Sequence, residues 1–174
     1  MLALVAALAV TQVPDWVERA RVTGKQDVVE RTADAFCSEK HRARMYGFEV
    51  LCAARPVGAT TAHWRAPKRD DTWTVRVDVL RFEPAAMPGL IAEFRRLAKS
   101  PAGSERVDGG MSPTLSWCQT SYVFRGDTVV VVAVACGANR PWKAVSDALL
   151  AEAGPGTIGV IGAEGGRATV VEPK

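Results

Sequence analysis

The sequence predicts an α+β fold: a mainly antiparallel sheet of about five strands with helices packed on one face. Three observations carry this expectation. Residues 72–82 predict a strand in which Trp73, Val75, Val77 and Val79 share one face and Thr74, Arg76 and Asp78 occupy the other. That is the pattern of a strand with one dry and one wet side. The dipeptide Gly126-Asp127 separates two β-rich runs, 114–124 and 128–136, which is a hairpin signal. Segments of helical period interrupt the strands, and short links between strands favour antiparallel neighbours.

Taken in order, residues 14–22 predict a short helix. Pro14 lies near its first turn, Trp16, Val17 and Ala20 share one side, and Gly24 follows its end. A second helix is expected from Asp27, because Val28, Val29, Thr32, Ala33 and Phe36 recur at helical spacing with Cys37 beside them. The basic stretch from Lys40 to Arg44 suits its last turn, where cations oppose the helix dipole.

Residues 45–54 predict a strand carrying Tyr46, Phe48, Val50 and Cys52 on one face. Residues 59–66 predict another around Trp64, joined to 72–82 through the polar loop 67–71. A third helix, 88–99, turns Leu90, Ile91, Phe94 and Leu97 inward and Glu93, Arg95, Arg96 and Lys99 outward. Residues 100–113 read as loop. The run 129–135 is apolar in every position, which marks a central strand covered on both sides. A fourth helix begins at Asn139 as its N-cap, buries Trp142, Val145 and Leu149, and closes at Gly154. Glycines 156, 159, 162 and 165 then predict a mobile tail or an irregular edge strand.

The chain has 174 residues, enough for one ordinary core. Its hydrophobic share of 48% and charged share of 24% exclude a wholly disordered chain. A net charge of +3 is too weak to imply a nucleic-acid partner. The expected organisation is a signal peptide or apolar leader at 1–10, a single α+β domain at 11–155 and a glycine-rich tail at 156–174. Residues 1–10 carry no charge, and Ala7-Leu8-Ala9 supplies the small-x-small pattern that signal peptidase accepts. The run is too short to span a bilayer, and no transmembrane segment is expected.

Cys37, Cys52, Cys118 and Cys136 form an even set. In an exported chain they predict two disulfides; in a reducing compartment they would be buried thiols. The favoured pairing is Cys37–Cys52 and Cys118–Cys136. The second bridge depends on hairpin register. A two-residue loop sets Cys118 opposite Ala135, whereas a three-residue loop sets it opposite Cys136.

Chemistry-bearing motifs are sparse. His41 follows Cys37 by one helical turn, a fragment of a zinc motif without its remaining ligands, so no metal is expected. His63 adjoins Trp64 and Arg65, but no Gly-x-Ser-x-Gly supplies a nucleophile. The tail glycines match no phosphate-binding fingerprint, and no cofactor is expected. Arg125-Gly126-Asp127 resembles a short adhesion tripeptide, which the turn itself explains. Arg65, Lys68, Arg69, Arg76 and Arg81 gather around Trp64 and Trp73, an arrangement that can hold a polyanion. Trp64, Arg65, Arg76 and Arg125 are the binding candidates. With no catalytic residue assigned, the expectation is a periplasmic or extracellular, non-enzymatic binding or accessory protein. Its partner would be a protein, an envelope component or a small ligand. The alternatives are a secreted hydrolase using His63 or His41 with a carboxylate or serine, and an inhibitory or structural partner protein.

Overall fold

The structure is a computed structural model, which describes residues 12–21, 24–39, 47–65, 74–99, 117–135, 139–154, 158–163 and 169–171. The leader, His41, Trp73 and Cys136 lie outside the described residues. The described elements run in the order α1 (Asp15–Arg19), β1 (Lys25–Arg31), α2 (Ala33–Cys37), α3 (Phe48–Ala53), β2 (Gly58–Arg65) and β3 (Thr74–Arg81). A short 3-10 turn, Pro84–Ala86, leads into α4 (Met87–Lys99). Then follow β4 (Trp117–Arg125), β5 (Thr128–Ala135), α5 (Asn139–Ala153), β6 (Ile158–Ala163) and β7 (Thr169–Val171).

The fold is α+β, with one antiparallel sheet whose described strands lie in the order β1-β2-β3-β5-β4-β6-β7. The fully apolar run forms β5, the middle strand of the seven. Its hairpin with β4 turns on two residues, Gly126 with φ +59° and Asp127, which sets Arg125 opposite Thr128. That register holds to Gln119 opposite Val134, then slips at a bulge so that Trp117 faces Ala135. Cys118 lies at that bulge, and the expected bridge to Cys136 lies outside the described residues.

The expectation of helices on one face is corrected. Strand residues alternate between two separate cores. Ala62, Trp64, Val75, Val77, Val79, Val123, Val130 and Val132 pack with α1 and α5 through Trp16, Val17, Val145 and Leu149. Ala59, Leu80, Tyr122, Phe124, Val129, Val131 and Ala133 pack with α2, α3 and α4 through Phe36, Phe48, Leu51, Leu90 and Phe94. The connections explain this. The step from β3 over β5 to β4 carries α4, and the step from β5 over β4 to β6 carries α5. Both steps move the same way across the sheet, yet β3 and β5 run in opposite directions. Crossovers of one hand must then place their helices on opposite faces.

Two local expectations are also corrected. Residues 25–31 form the edge strand β1, not the start of a helix; Thr32 instead caps α2, its hydroxyl accepting from the Ala35 N–H. Residues 27–30 of this strand are exposed on both faces, so its valines and charges show no alternation to read. Residues 48–53 are helical, burying Phe48 and Leu51 one turn apart. Gly47 enters this helix at φ +76°, and a Cβ there would stand 2.6 Å from the Phe94 ring. Phe94 in turn packs on Tyr122 and Phe124, with ring centroids 4.6 and 5.1 Å away. The glycine-rich stretch places Gly159 opposite Val123 and Gly162 opposite Thr120, so β6 is paired inside the sheet and β7 forms its far edge.

Candidate functional site

The most chemically distinctive place is a patch of polar side chains on the sheet face that α2, α3 and α4 cover. Strand alternation builds it. Residues two apart on a strand share a face, so β2 sends Ala59, Thr61 and His63 there, and β3 sends Arg76, Asp78 and Leu80. The register sets Thr61 opposite Asp78 and His63 opposite Arg76. On the outer side, β1 sets Asp27 opposite His63 and Arg31 opposite Ala59.

Asp78 has no solvent exposure. Its carboxylate accepts from the Thr61 hydroxyl at 2.5 Å and from Arg76 Nε at 3.1 Å on both oxygens. Arg76 Nη2 reaches Glu39, just past α2, at 3.3 Å, and Glu39 also pairs with Arg31. A chain of alternating charges thus runs from β3 to α2 and back to β1. Burial raises the Asp78 pKa, against the Arg76 charge and the Thr61 and Arg76 hydrogen bonds, which pull it down. Burial lowers the Arg31 pKa, helped by Arg76 and opposed by Asp78. The half-buried His63 is also held below its ordinary pKa, by burial first. The negative charges of Asp78 and Asp27 oppose that shift, and Arg31 and Arg65 reinforce it.

The four binding candidates are not brought together. Trp64 is fully buried in the core beneath α1 and α5, and its indole N–H has no acceptor among the described residues. Arg76 is buried on the opposite face of the sheet. Arg65 is exposed and pairs with Asp27 at 2.8 Å. Arg125, at the far end of β4, lies 5.3 Å over the Trp16 ring and donates to the Glu152 carbonyl. Its tripeptide partner Asp127 accepts from Arg81 and Thr128. Burial pushes the Asp127 pKa up, but those hydrogen bonds and the Arg81 charge bring it below its ordinary value. Both ends of the tripeptide are thus held by contacts within the chain.

Cys37 and Cys52 form a disulfide joining α2 to α3. It flanks the core that contains Phe36 and Phe48, whose rings lie 5.5 Å apart. Among the described residues, no cluster of His, Cys, Asp and Glu is arranged to hold a metal ion. No described helix is long and apolar enough to cross a membrane.

Sequence reasoning placed Arg76 and Asp78 on one strand face but missed Thr61, Glu39 and Arg31. The available signal was the opposite charge of two residues at period two, which invites mutual pairing. Their partners come from distant strands and a helix, so only the register assembles the set. No protein-family model matches this chain, and neither a curated protein nor a solved structure matches it.

Proposed function

We propose that the chain is an exported, non-enzymatic binding or accessory protein of the cell envelope or extracellular space. The observation that carries this reading is the Cys37–Cys52 bridge. Structural disulfides persist in oxidising compartments and are rare where glutathione keeps thiols reduced. The uncharged run before Thr11 agrees with passage into such a compartment.

The non-enzymatic half of the reading draws on the polar patch. Asp78 is committed to Thr61 and Arg76, and Arg76 is shared with Glu39. A carboxylate already holding several internal donors is built to fasten strands and helix, whereas a general acid or base must be free to face a substrate. Fractionation with thiol alkylation under non-reducing conditions tests the proposal. The chain is expected outside the cytoplasm, shortened at its N-terminus, with Cys37 and Cys52 protected from alkylation. Full-length protein in the cytoplasm with both thiols freely alkylated would overturn it. The His63→Ala and His41→Ala chains are expected to complement a deletion strain as well as the parent; failure of a folded, exported variant would favour the hydrolase.

A further inference from the structure

We propose that β1 is a self-docking edge, and that two copies of the chain join their sheets through antiparallel pairing of β1 with Val29 opposite Val29. The two ends of the sheet are unlike. The β7 end is three residues long, the usual way of blunting an edge. The β1 end is seven residues long, and among the described strands only β2 pairs with it. Val28 and Val29, at its centre, are 49% and 41% exposed. The outer backbone groups of such a strand are donors and acceptors ready for another strand.

The charge sequence of β1 selects the occupant. A strand pairing with its own copy in parallel sets Asp27 beside Asp27 and Glu30 beside Glu30, like against like. Antiparallel pairing about a two-fold axis is more restricted. Successive cross-strand pairs alternate between hydrogen-bonded and non-hydrogen-bonded types, so symmetry forces the axis through a residue facing itself. Asp27 or Glu30 on the axis again opposes like charges. Val28 on the axis sets Lys25 against Arg31. With Val29 on the axis, Asp27 of each copy faces Arg31 of the other, twice over, and the two Val29 side chains meet between these pairs. Gln26 on the axis would also bring opposite charges together, Lys25 with Asp27, but pairs only residues 25–27 of each strand. Of the two-fold arrangements that pair five residues or more, the Val29 register makes opposite charges meet. Asp27 is more than half exposed beside Arg65, so its carboxylate has room for a second donor.

The test uses the full-length chain. Directly paired residues have Cα atoms about 4.5–5.5 Å apart, within disulfide range. Val29→Cys is therefore expected to cross-link into a dimer under mild oxidation, and Val28→Cys, which would face Glu30, is expected not to. Light scattering of the parent chain should show a dimer whose dissociation constant rises at least about tenfold in Asp27→Arg, which turns both attractive pairs repulsive. Thermal unfolding of each variant checks that it folds. A monomeric parent at every concentration would overturn the proposal, including the case in which β1 receives a strand from a different protein. Equal cross-linking of Val28→Cys and Val29→Cys would overturn it too.

Discussion

Strands β3 and β5 lie side by side, and both are closed off from water on both faces, yet they achieve this in different ways. β5 presents Val129, Val131 and Ala133 to one core and Val130 and Val132 to the other. β3 presents Val75, Val77 and Val79 to the α1/α5 side, but Arg76 and Asp78 to the side under α2–α4. Asp78 directly faces Val131 of β5. Polarity in a sequence therefore does not imply water. Buried charges are tolerated where each is neutralised and hydrogen-bonded, and the Arg76–Asp78–Glu39 set meets that condition.

The largest expected effect breaks this equivalence. Arg76→Ala strands Asp78 without its cation and is expected to cost about 3–5 kcal/mol in urea unfolding. Replacing the set's strand members together, Thr61→Val with Arg76→Leu and Asp78→Leu while Glu39 keeps Arg31, should make β3 resemble β5 and leave stability unchanged or raised by about 1–4 kcal/mol. If Arg76→Ala instead costs less than about 0.5 kcal/mol, as exposed positions do, the two strands differ in solvation after all.

A second comparison concerns what holds the cover over the polar half. α2 carries Phe36 and leads to Glu39, and the bridge across a sequence separation of 15 fastens it to α3. Cys37→Ala with Cys52→Ala is expected to cost about 3 kcal/mol, the entropy of closing a loop of that length. The bridged α2 lies against β2, so in hydrogen exchange the variant should lose protection in β1 and β2 before β4 and β5.

The smallest effect is one of pH. The folded state holds His63 below its ordinary pKa, so the unfolded chain takes up this proton first. Its contribution is therefore present above about 6.5 and is lost as pH falls from there through the folded pKa. Asp78 has the opposite sign. Its folded pKa is raised, so its contribution is greatest when protonated and declines as pH rises above the ordinary aspartate value. Stability profiles of the parent and His63→Gln between pH 7 and pH 5 should differ by a shallow slope, shallow because the imidazole is half exposed. Identical profiles would show that His63 titrates alike in both states.

Much of the fold was legible. β2, β3, the β4–β5 hairpin, α4 and α5 lie close to where alternation, the Gly-Asp turn and helical period put them. The misread elements share a cause. β1 has no buried face to impose period two, and α3 is a six-residue helix whose apolar run offers both period two (Phe48, Val50, Cys52) and helical spacing (Phe48, Leu51, Cys52). The polar patch was half legible: Arg76 and Asp78 were placed together correctly and assigned to water. Trp64 was offered as a binding residue although its own alternation with Ala62 leads into the core.

The sequence alone determined the α+β class, the central place of the β5 run and the presence of the β4–β5 hairpin, since each follows from neighbours along the chain. Only the tertiary structure decided that both faces of the sheet are covered, because that depends on the hand of two crossovers. Likewise, only the packing of α2 over β2 and β3 made the wet face of β3 a buried ion-pair network. Burial is a property of what lies above a residue, and local pattern reports only the residue itself.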